Sequence, residues 1–458
     1  MINRLGGDVV RRVLMIAYHF PPVGGPGVQR IAKMAKYLPE HGWQPYVLTK
    51  AAEDEVDYPQ DLSLREGIHP DAVVTHLHLT PLEKRLFRLG CEAWKQRVGR
   101  ALMRLSLFSD SHRPLHQSAV KEGQRLIHDH DLEAIISTDP ISAHLVGYRL
   151  HELTGLPWIM DVRDLWTEAF TYRPASYLHG LFDAAVERRM MHAADAIVCV
   201  TDGFQRKLRT KYAGIDPDRF VVIRNGYDED DFKHRMLDRS DKFTLSYVGS
   251  LYDFYVHPRP EGWRRFFEPA LKGSGASVCV RSPRPLLEAV QQFLQEHPNV
   301  RSRLCIQFIG AASEKDQSIV SDLDLHEVVT WTGYVPHSEA VEKMIHADVL
   351  FLMQAGAGSE VVVPGKLYEY LRSGTAILGL LSEGEAPWLI RETNTGVVLN
   401  PFDVDGIAAQ IQTWYKCWIA GEPLSTPDWD QIKKYRRDRQ ASELSEIFEE
   451  VLKYEKGD

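Results

Sequence analysis

The stretch from Ala355 to Gly374, AGAGSEVVVPGKLYEYLRSG, has the parts needed to hold both a phosphate and a sugar ring. It follows the apolar run ADVLFLM (347–353), which reads as a strand. Glycines at a strand end let a ligand approach the backbone. Pro364 and Gly365 stand where a helix would begin, and proline is well tolerated in a first helical turn. The N-terminus of such a helix favours a phosphate. Lys366 adds a point charge there, and Glu369, one turn further in, can accept two hydrogen bonds from a ribose diol. The plainer alternative is a buried glutamate paired with a neighbouring Lys or Arg.

Two further groups of residues stand at strand ends in the first half. Pro21-Pro22-Val23-Gly24-Gly25-Pro26-Gly27 lies between a first strand and a helix, where free backbone N–H groups suit anionic or hydroxyl-rich ligands. It is not GxGxxG, so a nicotinamide cofactor is not indicated. A simple strand-to-helix turn is the alternative. Ser137-Thr138-Asp139-Pro140 leads to Ser142 and His144 at a helix start, and Asp161-Val162-Arg163-Asp164-Leu165-Trp166 follows the next strand. In a doubly wound domain both strand ends reach one sheet edge, so His144, Arg163 and Asp164 converge there. A packed or capping histidine and a structural Arg–Asp pair are the alternatives.

The elements that must position these groups are short apolar runs separated by helical stretches. VLMIAY (13–18), PYVLT (45–49), EAIIST (133–138), PWIMD (157–161) and AIVCVT (196–201) are apolar throughout, as strands covered on both faces must be. The rhythm restarts with FTLSYVG (243–249), LCIQFIG (304–310), VVTWTG (328–333), TAILGLL (375–381) and GVVL (396–399). This alternation predicts two α/β domains with parallel, doubly wound sheets, over residues 1–228 and 240–425. Tyr227–Lys242, with four consecutive acids at Asp228–Asp231, reads as a solvated linker rather than a metal site. Leu444, Ile447, Phe448, Val451 and Leu452 recur at helical spacing, so a helix over about 430–456 should dock one face, on the first domain.

These pieces together resemble the GT-B glycosyltransferases, in particular the family 4 (group 1) type. The resemblance covers nearly the whole chain through YHFPPVGGPGVQR, ISTDPISAHL, PWIMDVRDLW, YVGSLYD, TGYVPHSE and PGKLYEYLRSGTAIL. It implies two Rossmann-like domains facing a cleft, with a UDP- or GDP-sugar on the second and the acceptor, a glycan or lipid-linked sugar, on the first. It implies Glu369 on the ribose, Glu360 near the sugar hydroxyls, and Tyr334 and Val335 beside the base. Lys366 or an arginine such as Arg284 would meet the diphosphate, with Gly249, Pro364, Gly365 and Leu367 around it and Gly25 reaching in from the first domain. His144 would lie near the transferred sugar with Asp164, and Gly24 and Arg163 on the acceptor side. Retention of the anomeric configuration, no metal, no cofactor, and a role in bacterial polysaccharide or envelope glycan synthesis are further implications. A nucleotide-sugar epimerase of the same fold and a non-catalytic sugar-nucleotide-binding protein are the alternatives.

The chain departs from the family pattern in two places. The usual glutamate pair is E-x7-E, whereas Glu360 and Glu369 are one residue further apart, with Val361 eight before Glu369. The usual Arg and Lys after GSLY are displaced: Arg281 and Arg284 come only after Asp253–Val280, a segment that reads as an insertion.

The formal charge of −9 argues against general nucleic-acid binding, which needs surplus cations. Five cysteines without a CxxC pair read as reduced thiols in a cytosolic protein. The short apolar run after two N-terminal arginines does not make a signal peptide, and no stretch is long enough to span a bilayer. Leu82–Phe108 carries seven Lys or Arg against Glu83 and Glu92, with Leu86, Trp94, Val98 and Leu105 at helical spacing. That pattern suits peripheral contact with an anionic membrane surface, or else a helix packed over the first domain with a solvated basic face.

Overall fold

In the computed structural model the apolar runs become strands of two parallel sheets. It describes residues 10–25, 27–55, 59–95, 110, 112–169, 172, 174, 177–233, 241–251, 255–256, 278–279, 282–354, 356 and 358–456. The chain divides into two units. One is built on the described residues within Met1–Asn225 and Arg437–Asp458, the other on those within Gly226–Pro258 and Gly275–Arg436.

The first sheet has strands β1 (Arg11–Ile16), β2 (Trp43–Lys50), β3 (Val73–Leu77), β4 (Ala134–Thr138), β5 (Trp158–Val162), β6 (Ala196–Cys199) and β7 (Phe220–Val222). Their order is β3-β2-β1-β4-β5-β6-β7, all parallel. The chain builds outward from β1, then returns to β1's other side, so the strand order reverses between β1 and β4. Loops leaving the C-terminal ends of those two strands border the crevice where open α/β sheets bind ligands.

The second sheet repeats the plan. Its strands are β8 (Phe243–Val248), β11 (Leu304–Ile309), β12 (Val329–Gly333), β13 (Val349–Gln354), β14 (Ala376–Leu381) and β15 (Gly396–Leu399), in the order β12-β11-β8-β13-β14-β15. The switch point falls between β8 and β13. β9 (Tyr255–Val256) and β10 (Val278–Cys279) form a separate antiparallel pair, the described part of the segment read as an insertion; the rest of 253–280 lies outside the described residues.

The helices are α1 (Val28–Tyr37), α2 (Pro81–Lys95), α3 (His116–His130), α4 (Ile141–Thr154), α5 (Tyr177–Ala193), α6 (Asp202–Lys211), α7 (Arg284–Glu296), α8 (Glu314–Asp322), α9 (His337–His346), α10 (Gly365–Ser373), α11 (Glu385–Glu392), α12 (Val404–Ala420), α13 (Trp429–Ile432) and α14 (Arg437–Lys456). Among the described residues no helix is long and apolar enough to cross a membrane.

Alternation along the central strands divides the second core between two faces. Phe243, Leu245, Tyr247, Phe351 and Met353 pack with α7 and α12, while Val248, Leu350 and Leu352 pack with α9 and α10. In the first unit α14 lies on α1 and brings Leu444, Ile447, Phe448, Val451 and Leu452 into the core. Phe448 meets the buried Trp43 with ring centres 4.7 Å apart. Arg30, on α1, is 2% exposed and lies 2.8 Å from Asp161 on β5.

The stretch read as a solvated linker is partly folded. Asp228 is 2% exposed, and its carboxylate accepts the Asp230 amide to cap a short 3-10 turn at Glu229–Phe232. Glu229 pairs with Arg372 on α10, and Phe232 is buried. The acids of this run serve as caps and ion-pair partners. The Tyr227 amide donates to the Tyr435 carbonyl at 3.0 Å, so the start and end of the second unit run side by side.

Candidate nucleotide-sugar site and the sheet edge of the first unit

In the second unit two loops meet at the switch point. β8 ends in Val248, whose amide donates 2.8 Å to the buried Tyr370 hydroxyl of α10. Burial holds that phenol well above its usual range, so it stays a neutral hydrogen-bonding group. Gly249 follows with φ +121°, and its amide donates to the Ile309 carbonyl at 2.7 Å. A Cβ on Gly249 would overlap Lys366 Nζ and lie 3.0 Å from its Cε. Glycine here therefore satisfies the backbone angle and gives the lysine room. Lys366 Nζ lies 3.9 Å from the centre of the Tyr247 ring.

Lys366 stands in the first turn of α10, which has Pro364 as its N-cap and no acid in that turn. Pro364 adds no N–H of its own, and the Leu367 amide bonds back to the Pro364 carbonyl at 2.9 Å. Leu367 is fully buried, anchoring the turn beneath Lys366. Helix N-terminal dipoles together with an ammonium favour an anion.

Glu369, three residues on, shares that side of the helix. Its Oε1 is 2.8 Å from Nε2 of His337, the first residue of α9. Among the described residues a histidine is thus one partner of Glu369. His337 ends the connection that carries Tyr334 and Val335 out of β12. Tyr334 is 48% exposed, and Val335 packs on the α9/α10 core.

The other residues predicted for this domain are placed less centrally. Glu360 is exposed, and its carbonyl accepts the Glu385 amide at 2.9 Å. Arg284, at the start of α7, pairs with Asp322 at 3.0 Å and Glu288 at 3.6 Å on an exposed surface. Such pairs are weak enough to exchange with solvent or ligand.

In the first unit, the loop after β1 is braced by residues 59–61. The Gly24 amide donates to the Pro59 carbonyl at 2.8 Å and the Asp61 amide to the Pro22 carbonyl at 2.7 Å. Gly25 takes φ +103°. Arg163, after β5, donates to the Gly27 carbonyl and, at 2.9 Å, to the Asp139 carbonyl. Asp139 organises the corner. Its Oδ2 accepts the amides of Arg163 at 2.8 Å and Asp164 at 3.3 Å, and its Oδ1 lies 3.7 Å from His144 Nε2. Burial works to raise the Asp139 carboxyl, but His144 and Arg163 prevail and hold it below its usual range.

His144 is fully buried. Its Nδ1 is 2.8 Å from Ser137 Oγ, which also accepts Trp158 Nε1–H at 2.8 Å. The Ser137 hydroxyl oxygen has a second lone pair and one proton, so it bonds Nδ1 in either direction, and Nε2 faces Asp139. His144, Asp139, Trp166 and the exposed Asp164 border a small cavity of about 10 Å³, near the limit for a single water.

The sequence did not single out His337 or the anchoring role of Asp139. It also missed a buried charged group at the ends of β1 and β2. Lys50 Nζ is 2.8 Å from Glu55 and 3.4 Å from His112 Nε2, and His19 Nδ1 is 3.3 Å from Glu55. Burial, then Lys50 and His19, hold His112 well below its usual pKa. The available signal was Lys50 itself, a cation closing an apolar strand at the ligand edge.

Two Rossmann-like parallel sheets, of seven and six strands, define the GT-B class. The "Glycosyl transferase 4-like domain" family matches residues 24–226, and "Glycosyl transferases group 1" matches residues 278–417. The chain belongs to the family 4-like, group 1 glycosyltransferases. It is 34% identical over 86 residues to alpha-maltose-1-phosphate synthase of Mycolicibacterium smegmatis, a match spanning 18% of this chain and only 22% of that protein. It is 23% identical to D-inositol 3-phosphate glycosyltransferase of Streptomyces scabiei over 91% of this chain and 84% of that one. Among solved structures, sucrose-phosphate synthase from Thermosynechococcus elongatus shares the fold with a TM-score of 0.61 at 13% identity, covering 96% of this chain and 99% of that one.

Proposed function

We propose that this protein transfers a hexose from a UDP- or GDP-sugar to a glycan or lipid-linked acceptor, with retention at the anomeric carbon, in bacterial envelope polysaccharide synthesis. The observation that carries the reading is Lys366 in the first turn of α10, which holds no acid, with Gly249 leaving space beside it. As the glycosidic bond to the donor breaks, the diphosphate gains charge. An ammonium and helix N–H groups fixed in advance stabilise that charge more in the transition state than in the ground state. Glu369 takes the ribose, and Tyr334 and Val335 flank the base. Glu360 and Arg284 reach the sugar and diphosphate from the rim. In the first unit Arg163 and Gly24 take the acceptor, and Gly25 the transferred group. His144 and Asp164 stand at the reacting sugar, with His144 held by Ser137 at its Nδ1.

We place the protein in the cytoplasm, at the inner face of the plasma membrane. Support comes from α2, where Leu82, Leu86 and Leu89 are 65%, 47% and 50% exposed beside Lys84, Arg85 and Arg88. Residues 96–108 of the basic stretch lie outside the described residues.

The test is thermal unfolding with UDP-, GDP-, ADP- and dTDP-sugars. A ligand at a hundred times its Kd adds about 2.7 kcal/mol of stability. One nucleotide series should shift the transition and release its diphosphate only when acceptor is supplied. Donor interconversion without acceptor would mean an epimerase, and no shift with any series would sink the reading.

A further inference from the structure

Glu369 does not meet its ligand alone. Its Oε1 lies 2.8 Å from His337 Nε2, and the two side chains are 18% and 17% exposed, sheltered yet within reach of a ligand. His337 opens α9 directly after Pro336, so its backbone is fixed by the helix start. Glu369 sits on α10, in the turn after Lys366. The contact therefore ties the loop bearing Tyr334 and Val335 to the helix bearing the anion site.

We propose that His337 is a positioning residue for nucleotide binding, its Nε2–H holding the Glu369 carboxylate in the orientation that accepts the ribose diol of a nucleoside diphosphate. This rests on the donor-site reading of Glu369. A carboxylate offers about four acceptor positions, so a bond to His337 is compatible with accepting two hydroxyls. A glutamate side chain left to rotate must be ordered at the moment of binding, and a neighbour that orders it beforehand removes that cost. Because His337 shares its loop with Tyr334, the same contact sets the distance between the ribose-binding and base-binding sides of the pocket.

The experiment titrates the full chain calorimetrically with UDP, GDP and ADP and with their 2′-deoxy counterparts. Wild type should prefer the ribose form of its nucleotide by about tenfold, the equivalent of one good hydrogen bond. In His337→Ala the ribose form should weaken by about tenfold while the deoxy form moves by less than about threefold. His337→Gln, which keeps an N–H donor of similar reach, should recover most of the preference. Equal weakening of both forms would reduce His337 to a packing residue and overturn the proposal. Loss of the ribose preference in Glu369→Ala but not in His337→Ala would overturn it while leaving the donor site intact. If Glu369→Ala keeps the preference, the donor reading of Glu369 is itself wrong and the role of His337 falls with it. His337 is a partly exposed residue in a first helical turn, so alanine should fold; His337→Phe, which fills similar space without a donor, supplies the same comparison if it does not.

Discussion

Lys366 Nζ sits 3.9 Å from the centre of the Tyr247 ring, in space that a side chain on Gly249 would occupy. The ring attracts the ammonium by about 0.5–2 kcal/mol and helps to hold it in place. Gly249→Ala should displace the lysine and strain a backbone at φ +121°. We expect affinity for the preferred nucleoside diphosphate to fall by about tenfold or more in Gly249→Ala and in Lys366→Met. Calorimetry on both variants checks this, and undiminished binding in Lys366→Met would remove the lysine from the site.

The first unit should depend on Arg30. Its guanidinium donates to both carboxylate oxygens of Asp161, at 2.8 to 3.1 Å, and Thr138 Oγ1 donates to the same carboxylate at 2.9 Å. Arg30→Ala would strand a fully buried carboxylate, at a cost of about 3–5 kcal/mol. Urea unfolding measures it. A change below about 1 kcal/mol would mean the pair behaves as a surface contact.

Acid should weaken the first unit before it protonates ordinary carboxylates. Burial, then Arg113 and Arg149, lower His116 from 6.5 to about 4. Between those values the unfolded chain carries a proton on this histidine that the folded chain does not, so stability falls as pH drops from 6.5 towards 4. His112 is lowered too and acts in the same direction. His116→Gln should flatten part of the fall in urea midpoint over that range. A profile identical to wild type would show that His116 is not held neutral.

Membrane contact through α2 should combine charge with apolar area. Cosedimentation with vesicles containing anionic lipid should exceed that with neutral vesicles and weaken with salt, each basic residue near the surface adding about 1 kcal/mol. Leu86→Glu should reduce it at constant fold. Equal binding by this variant would leave α2 without a part in docking.

The sheets were legible because strands buried on both faces leave continuous apolar runs, and every run from VLMIAY to GVVL marks a strand. The start of α10 was legible because Pro-Gly-Lys at a helix entry is a local pattern. What a side chain meets across the fold was not. His337 lies 32 residues from Glu369, and only the packing of α9 beside α10 joins them. His144 is withdrawn from solvent by Ser137 and Trp158, a network spread over two strands. Asp228–Asp231 read as solvated because an acid run looks the same whether it caps a turn, pairs with Arg372 or faces water.

Helix α14 is encoded after every strand of the second unit, yet it fills the core of the first. A ribosome delivers the chain from its N-terminus, so the first sheet is made long before the helix that covers α1. The second unit can close on itself while Ile31 and Met34 still lack the partners that α14 brings. Assembly therefore finishes where synthesis began, reversing the usual N-terminal-first order. During that wait the nascent protein exposes an apolar face suited to a chaperone, and a stop codon anywhere before Arg437 would make the wait permanent.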